Sequence, residues 1–266
     1  MKRVDRTGDP HYPNLRELMK EILYGRQPVR EALASGRRQL FGVFVVRGAK
    51  PDAIMDEIAA AAARRRVPVR MADPPTLDRL CGGGHHQGTA LEAGPYPYVE
   101  LPAVLSAARD GGAIPLILVL DHLQDPQNLG AILRTAEVAG VHGVVIPRQR
   151  AAGVTPAVVR ASAGASEHVR VALVSNVSQT LRTLKAEGLW AAGLEAVPEA
   201  KVFSDADLRD PLALVVGSEG EGLARLTRET CDFLIRLPVK GRVKSLNAAT
   251  ACAVALYEAL RQRSAL

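Results

Sequence analysis

Hydrophobic positions in the first third of the chain show helical spacing in some segments and strand-like spacing in others. Apolar residues between positions 15 and 23 recur at every third or fourth residue, which predicts a helix that ends at Gly25. Aromatic and β-branched residues cluster at 40–46 and predict a strand. The remaining predicted elements are helices over 27–34 and 51–66 and strands over 67–70 and 88–91. Together they predict a small α/β domain over 14–93.

The pattern changes after a segment that contains Gly94, Pro95 and Pro97, and we predict a linker over 94–114. From 115 to 266, short apolar runs typical of buried parallel strands alternate with helical segments. This alternation predicts a second α/β domain with a mostly parallel sheet, in which ligands bind at the carboxyl ends of the strands. The apolar runs lie at 117–120, 143–146, 169–174, 189–194, 212–216 and 233–237.

Composition excludes several classes of protein. A hydrophobic content of 47% over 266 residues is typical of a packed globular protein. No stretch approaches the roughly 18 apolar residues of a membrane span, so we expect a soluble, cytoplasmic protein. Cys81, Cys231 and Cys252 lie far apart and show no metal-ligand spacing. We therefore expect reduced core thiols and no metal site, and the adjacent His85 and His86 do not change that expectation.

The positive charge is concentrated near the amino terminus. Residues 1–70 contain 15 Lys and Arg against 8 Asp and Glu, a net charge of +7, whereas the rest of the chain carries about −1. Residues 1–13 are polar and predict a flexible basic tail. A nucleic acid bound through its phosphates is the physical interpretation that this asymmetry favours. The alternative is that each basic cluster is only a solvated surface.

Three loops could carry chemistry, and the first is the segment 121–140, which leaves a strand and enters a helix. We predict Asn128 as the N-cap of this helix and Gly140 as the residue just after its end. Arg134 lies one turn after small residues that leave room for a ligand, so its guanidinium could bind a phosphate or a hydroxyl. The alternative for Arg134 is a surface ion pair with Glu137.

The second loop, at 215–223, follows a strand and is rich in glycine, which lets backbone groups approach a ligand closely. Glu219 and Glu221 would repel a phosphate, so a nucleoside with a cationic sulfonium fits better than a pyrophosphate. The alternative is a tight strand-to-helix turn without a ligand.

The third loop, within 237–260, enters a helix near Ser245, which we predict as its N-cap. The first turns of this helix, 248–253, are small residues against which either a chain segment or a ligand could pack closely.

In this order, the segments NLGAILRT, VVGSEGEGL and LPVKGRVKSLNAAT resemble the three signature motifs of the SpoU (TrmH-like) class of SPOUT methyltransferases, over roughly 115–263. The segment YGRQPVREAL at 24–33, together with HHQG at 85–88, is similar to the substrate-binding domain of the 23S rRNA guanosine-2′-O-methyltransferase subgroup. That domain resembles the ribosomal L30e-type fold. One departure is Ala249, where the third motif commonly has a serine.

The resemblance implies a trefoil-knotted catalytic domain that binds S-adenosylmethionine, acts as a homodimer and methylates a ribose 2′-hydroxyl of RNA, with rRNA favoured over tRNA. By position it implies a catalytic role for Asn128, Arg134, Glu219, Ser245 and Asn247, with Arg134 polarising the hydroxyl. Matching cofactor positions are Gly217, Ser218, Gly222, Leu237 and Leu246. In the N-terminal domain we take Arg26, Arg30, Arg37, Arg38 and His86 as RNA-binding candidates.

Two rival functions use the same residues differently. A dinucleotide enzyme of the Rossmann type would need its glycine loop after the first strand, whereas here the glycine loop lies near the carboxyl end of the chain. A noncatalytic RNA-binding protein could keep the fold, but Arg134 together with a complete glycine loop favours an enzyme. Binding of S-adenosylmethionine separates these alternatives.

Overall fold

The computed structural model describes residues 20–48, 52–243 and 245–264, so the predicted tail over 1–13 lies outside the described residues. Within these described residues, the N-terminal part is a four-stranded sheet with three helices. Its order is β1-β4-β2-β3, in which β4 runs antiparallel to both of its neighbours and β2 runs parallel to β3. The elements are β1 (Glu21–Tyr24), α1 (Arg26–Ser35), β2 (Leu40–Val46), α2 (Ala53–Arg64), β3 (Val69–Ala72), α3 (Pro74–Leu80) and β4 (Thr89–Ala93).

The predicted helix over 15–23 is wrong where the structure describes it, because Glu21–Tyr24 forms strand β1. Leu23 pairs with Leu91 of β4, and both side chains are fully buried. Tertiary pairing has overridden the helical spacing of the apolar residues. The helix α3 was not predicted, although Asp73 caps it by accepting a hydrogen bond from the Thr76 backbone N–H at 2.9 Å.

The C-terminal part is a seven-stranded sheet in which every described pair of strands is parallel, in the order β7-β6-β5-β10-β8-β11-β9. This confirms the predicted α/β fold, and each predicted apolar run contains a strand. The strands are β5 (Leu116–Asp121), β6 (Gly143–Pro147), β7 (Val171–Val174), β8 (Trp190–Leu194), β9 (Lys201–Val202), β10 (Leu212–Gly217) and β11 (Phe233–Arg236). The helices are α4 (Leu101–Asp110), α5 (Pro126–Val138), α6 (Pro156–Ala161), α7 (Val177–Ala186), α8 (Arg225–Thr230) and α9 (Ala248–Arg263).

The segment predicted as a linker over 94–114 is instead packed structure. It contains α4, whose residues Val104, Leu105 and Ala108 are buried against the sheet, and Tyr96 is only 5% exposed. Apolar burial of this kind orders a segment that its glycine and prolines alone would leave loose. None of the described helices is long and apolar enough to cross a membrane. The trefoil knot stays a prediction.

Candidate cofactor cleft and RNA-binding residues

A cleft with a volume of about 690 Å³ opens at the carboxyl ends of β8, β10 and β11, next to the start of α9. Parallel sheets commonly bind ligands at this edge. The cleft brings together all five predicted cofactor residues and three of the five predicted catalytic residues. The cofactor residues that line the cleft are Gly217, Ser218, Gly222, Leu237 and Leu246, and the catalytic residues that line it are Glu219, Ser245 and Asn247.

The glycine-rich wall of the cleft is a tight turn after β10. Ser218 and Gly222 exchange backbone hydrogen bonds of 3.1 Å, which closes the turn over 219–221. A Cβ at Gly217 would lie 2.2 Å from the Gly222 carbonyl group, so glycine at 217 is required by the close approach of its own loop. The predicted turn and the predicted ligand wall are therefore the same structure.

Three of the predicted catalytic side chains form one hydrogen-bonded network. The Asn247 Nδ2 group donates to Asn128 Oδ1 at 2.8 Å and also to Glu219 Oε1. Glu219 Oε1 additionally accepts from the Ala248 backbone N–H at 3.3 Å. The network joins the start of α5, the glycine-rich turn and the start of α9, so it fixes the three signature segments relative to one another.

Two acidic residues that the sequence analysis did not select also support this edge. Glu195, directly after β8, lines the cleft, and its Oε2 accepts a hydrogen bond from the Leu223 backbone N–H at 2.8 Å. Asp121 at the end of β5 is fully buried, and its Oδ2 accepts from the Ala224 N–H at 2.8 Å. An acidic residue at the end of a buried parallel strand or directly after it was the signal that could have identified both.

The charge of the cleft is negative. Glu195, Glu219 and Glu221 line it, and no Lys or Arg is among its described lining residues. A phosphate would be repelled here, whereas a ligand with a positive charge would be attracted.

Comparison with known families assigns both halves of the chain. Residues 115–257 match the SpoU rRNA Methylase family, and residues 22–99 match the domain described as RNA 2′-O ribose methyltransferase substrate binding. The chain belongs to the SpoU rRNA methylase family. This confirms the family resemblance of the three signature segments, and the family consists of methyltransferases that use S-adenosylmethionine.

Relatives of this SpoU family member cover nearly the whole chain. A putative TrmH family tRNA/rRNA methyltransferase of Bacillus subtilis is 39% identical over 92% of this chain and 96% of its own length. An uncharacterized tRNA/rRNA methyltransferase of Synechocystis is 42% identical over 91% of this chain, which spans 63% of that longer protein. A solved RNA 2′-O ribose methyltransferase is 28% identical, with a TM-score of 0.73 over 93% of this chain and 90% of that one. The SpoU methyltransferase AviRb of Streptomyces viridochromogenes, solved with AdoMet, shares the fold with a TM-score of 0.77 at 24% identity, over 96% of each chain.

The helix caps of the SpoU motifs differ from the predictions. Asp125, not Asn128, caps α5, because its carboxylate accepts from the Gln127 and Asn128 backbone N–H groups at 3.1 Å. Asn247, not Ser245, caps α9, and its Oδ1 accepts from the second and third residues of that helix. The capping role predicted for Asn128 and Ser245 is therefore wrong. Asn128 is buried in the first turn of α5, and Ser245 lines the cleft.

Arg134 lies on the exposed side of α5 and is not among the residues that line the cleft. Its guanidinium has no hydrogen-bond or ion-pair partner among the described residues, so the alternative pair with Glu137 does not form there.

Ala249, which stands where the third motif commonly has a serine, lies in the interior of the protein. Ala249 is 9% exposed within the hydrophobic core, and it does not line the cleft.

Two of the predicted RNA-binding arginines instead join the two halves of the molecule. The Arg38 side chain is fully buried between Glu167, which is also fully buried, and Glu21. Its Nη2 atom lies 2.9 Å from Glu167 Oε1. Arg37 donates to the carbonyl oxygens of Val169 at 2.5 Å and Pro97 at 3.2 Å. The Arg38 side chain is fully buried and Arg37 is half-buried among protein partners, so their selection as RNA contacts stays a prediction that these surroundings do not favour.

An aromatic side chain completes this junction. Tyr96 donates its hydroxyl to the Val169 carbonyl at 2.6 Å and lies under the guanidinium of Arg38, 5.1 Å from the ring centre. Burial raises the pKa of Tyr96 to about 12, so the phenol keeps its proton and remains a donor at physiological pH.

The other three RNA-binding candidates are more accessible but already have partners. Arg26 pairs with Asp52 at 2.5 Å, and Arg30 pairs with Glu31 at 2.7 Å and Glu57 at 3.2 Å. His86 accepts from the Gly88 backbone N–H through Nδ1 at 3.0 Å and lies 3.2 Å from Asp78. An RNA phosphate would have to compete with these acidic partners.

Proposed function

We propose that this SpoU family member transfers a methyl group from S-adenosylmethionine to a ribose 2′-hydroxyl of RNA, with a guanosine of 23S rRNA as the natural target. The observation that carries the proposal is the cleft with three carboxylates and no Lys or Arg among its described lining residues. A cationic sulfonium suits this charge, and a substrate phosphate does not. The match of residues 22–99 to an RNA 2′-O ribose methyltransferase substrate-binding domain supports an RNA ribose as the acceptor.

The cleft offers suitable groups for S-adenosylmethionine. Backbone groups of the turn from Gly217 to Gly222, with Leu237 and Leu246, would hold the nucleoside, because all of them line the cleft. Leu246 is 49% exposed at the cleft, so it offers an apolar surface that a ligand would cover. When bound, the cofactor supplies a methyl group that is already activated by its cationic sulfur.

The acceptor oxygen must then be aligned and must lose its proton. We assign the polarisation of the 2′-hydroxyl to Arg134, whose planar guanidinium can bind that oxygen and a neighbouring phosphate together. Asn128, Glu219 and Asn247 hold the start of α5 against the cofactor turn through their network. Ser245 lines the same cleft and would help to orient the acceptor.

We also propose that the protein works as a homodimer in the cytoplasm. Val138 on α5 is 62% exposed, and Val254 and Tyr257 on α9 are 37% and 52% exposed. The helices α5 and α9 pack on each other, so these side chains can form one apolar surface that a second copy would cover. Arg134 lies one turn from Val138, so that second copy would lie next to it.

The proposal is tested by incubating the protein with S-adenosylmethionine labelled in its methyl group and with unmodified transcripts of 23S rRNA or of tRNA. We expect label on ribose 2′-oxygens of the 23S transcript. Label on tRNA alone would reassign the substrate, and calorimetric binding of S-adenosylmethionine without transfer to either RNA would favour the noncatalytic alternative.

A variant of the turn tests the cofactor site separately. Gly217→Ala should weaken S-adenosylmethionine binding, because its methyl group would collide with the Gly222 backbone and force the turn to move. Gly42→Ala is the matched control, because Gly42 lies in β2, outside the cleft lining, and a Cβ there would meet its nearest atoms at 3.7 Å. Equal cofactor affinity in both variants would move the site away from the glycine-rich turn.

A further inference from the structure

The loop over 148–155 lies between the substrate-binding domain and the proposed catalytic centre. It leaves the carboxyl end of β6 and enters α6 at Pro156. Arg160 of α6 donates to the His85 carbonyl and lies 5.3 Å from the centre of the Tyr24 ring, so the tip of the substrate-binding domain contacts α6. Four residues of helix span about 6 Å. One end of the loop is therefore next to the tip that carries the family's N-terminal motif.

The other end of the loop is close to the catalytic segments. In the sheet, β6 neighbours β5, and β5 neighbours β10, which leads into the cofactor turn. Neighbouring strands lie about 4.8 Å apart, which places the end of β6 about 10 Å from the end of β10. The Ala152 backbone N–H also donates to the Leu123 carbonyl at 2.8 Å, which ties the loop to the segment that enters α5.

Two arginines at the start of this loop are exposed and have no partner among the described residues. Arg148 and Arg150 are both exposed, and neither guanidinium makes a hydrogen bond or ion pair with the part of the chain that the structure describes. The backbone at Arg148 is held to the neighbouring strand β7, because its N–H donates to the Val174 carbonyl at 2.8 Å. Arg150 has a φ of 55°, a conformation that is uncommon outside glycine, asparagine and aspartate.

The acidic groups next to this loop are already engaged. The Asp121 carboxylate accepts from the Ala224 N–H and lies 2.5 Å from His122 Nδ1, and it is fully buried. The Asp125 carboxylate caps α5 through two backbone N–H groups. The two arginines therefore present positive charge to solvent at a site where an RNA segment would pass.

We propose that Arg148 and Arg150 form a phosphate-binding site for the RNA segment that connects the substrate-binding domain to the target ribose. The inference rests on the proposed function, because it assumes an RNA that contacts both the tip of the substrate-binding domain and the catalytic segments. Arginine binds phosphate in a bidentate manner, and such contacts position the backbone without reading the base sequence. The site would align the target nucleotide rather than select it.

The test is the salt dependence of binding of the full chain to an unmodified 23S rRNA transcript, which requires no methyl transfer. In the double variant Arg148→Gln with Arg150→Asn, the slope of log affinity against log salt should flatten by about 1.4 to 1.8, since each lost phosphate contact removes roughly 0.7 to 0.9. Asparagine is chosen at position 150 because it tolerates the left-handed backbone. Lysine at both positions should restore most of the slope, because phosphate contact requires charge.

The matched control removes two arginines from exposed helix surfaces elsewhere that form no ion pair with the described residues, Arg182→Gln on α7 with Arg228→Gln on α8. It should change the slope by less than half as much as the Arg148 and Arg150 variant. Affinity for S-adenosylmethionine should stay unchanged in all variants, which shows that the cleft is folded. Equal slopes for the wild-type chain and the Arg148 and Arg150 variant would overturn the proposal. Equal losses in the test and control variants would also overturn it, because they would reduce the effect to net charge.

Discussion

The arginine candidates for RNA binding in the N-terminal half and the three arginines near the proposed catalytic segments have opposite surroundings. In the N-terminal part, which has the larger positive charge, Arg38 is fully buried, Arg37 is half-buried against carbonyl oxygens, and Arg26 and Arg30 pair with acidic side chains. In the C-terminal part, Arg134, Arg148 and Arg150 are exposed without partners among the described residues. Net charge per segment counts residues, whereas binding of a phosphate depends on guanidinium groups that are free to bind it.

This difference changes which arginines we expect to stabilise the protein and which we expect to bind RNA. A buried arginine between two carboxylates orients the domains and contributes nothing to the surface potential that RNA meets. We therefore expect Arg37 and Arg38 to act mainly through stability and domain orientation, and Arg134, Arg148 and Arg150 to act through RNA and chemistry.

The largest effect is expected at Arg134. Arg134→Ala should lower kcat for methyl transfer by about 10² to 10⁴, the usual contribution of a group that assists proton transfer. Arg134→Lys should recover little of the lost kcat, because an ammonium group lacks the paired, coplanar N–H donors of a guanidinium. Affinity for S-adenosylmethionine should stay unchanged, since Arg134 does not line the cleft. Rate measurements with saturating cofactor test this, and Arg228→Ala, a change at another exposed arginine, should leave kcat as it is.

The second effect concerns stability rather than rate. Arg38→Met should lower the free energy of unfolding by about 3 to 5 kcal/mol, because it leaves the Glu167 carboxylate buried without its partner. Arg26→Met, which breaks an accessible ion pair with Asp52, should cost less than about 1 kcal/mol. Urea unfolding of the two variants measures both values, and similar losses would contradict the structural role that we assign to the buried pair.

A smaller effect is expected for the accessible N-terminal arginines. Arg26→Gln with Arg30→Gln should flatten the salt slope of 23S rRNA binding by less than about 0.7, which is less than one phosphate contact on a single strand. Both arginines are already paired with acidic groups, so they offer little to a phosphate. If the salt slope of this variant flattened as much as we expect for the Arg148 and Arg150 variant, the N-terminal surface would be a main RNA contact.

The smallest effect concerns pH and the contact between the two halves. Burial by itself raises the pKa of Glu31, but hydrogen bonds from Arg30 and from His168 across the domain junction outweigh it and hold the pKa below its ordinary value of 4.5. Because the folded-state pKa is the lower one, the stabilisation is present above pH 4.5 and is lost as the pH falls through the folded-state value. We expect less than about 1 kcal/mol for a partly exposed group.

This expectation is checked with urea unfolding of the wild-type chain and of Glu31→Gln. The advantage of the wild-type chain should be constant between pH 6 and pH 5 and should decrease on further acidification below 4.5. An advantage that grows as the pH falls would reverse the sign of the assigned shift.

Much of the fold could be predicted from local patterns. The strand at 40–46 and the six apolar runs of the parallel sheet were identified because a buried strand requires a continuous or β-branched apolar run. The strand β1 was predicted as a helix because its apolar residues fit both spacings, and only pairing with β4 decides between them. The helix α4 was missed because Gly94 and the nearby prolines suggested a linker, although Leu101, Val104, Leu105 and Ala108 have helical spacing.

The candidate site was predictable where its residues are local to a motif. Gly217, Glu219, Leu246 and Asn247 meet in one cleft because the signature segments follow neighbouring strands. The burial of Arg38 was not predictable, because its partner Glu167 is 129 residues away along the chain. The caps failed for a different reason. Asp125 and Asn128 are both residue types that favour an N-cap, and the helix begins directly after the earlier one, Asp125.

We propose above all that this chain methylates a ribose 2′-oxygen of RNA with the help of Arg134. The most direct measurement is a map of ribose methylation in total RNA from cells that lack the gene, complemented with the wild-type chain or with Arg134→Ala. We predict that one guanosine of 23S rRNA loses its 2′-O-methyl group in the deletion, regains it with the wild-type chain and fails to regain it with Arg134→Ala. An unchanged methylation map in the deletion, or full restoration by Arg134→Ala, would contradict the account.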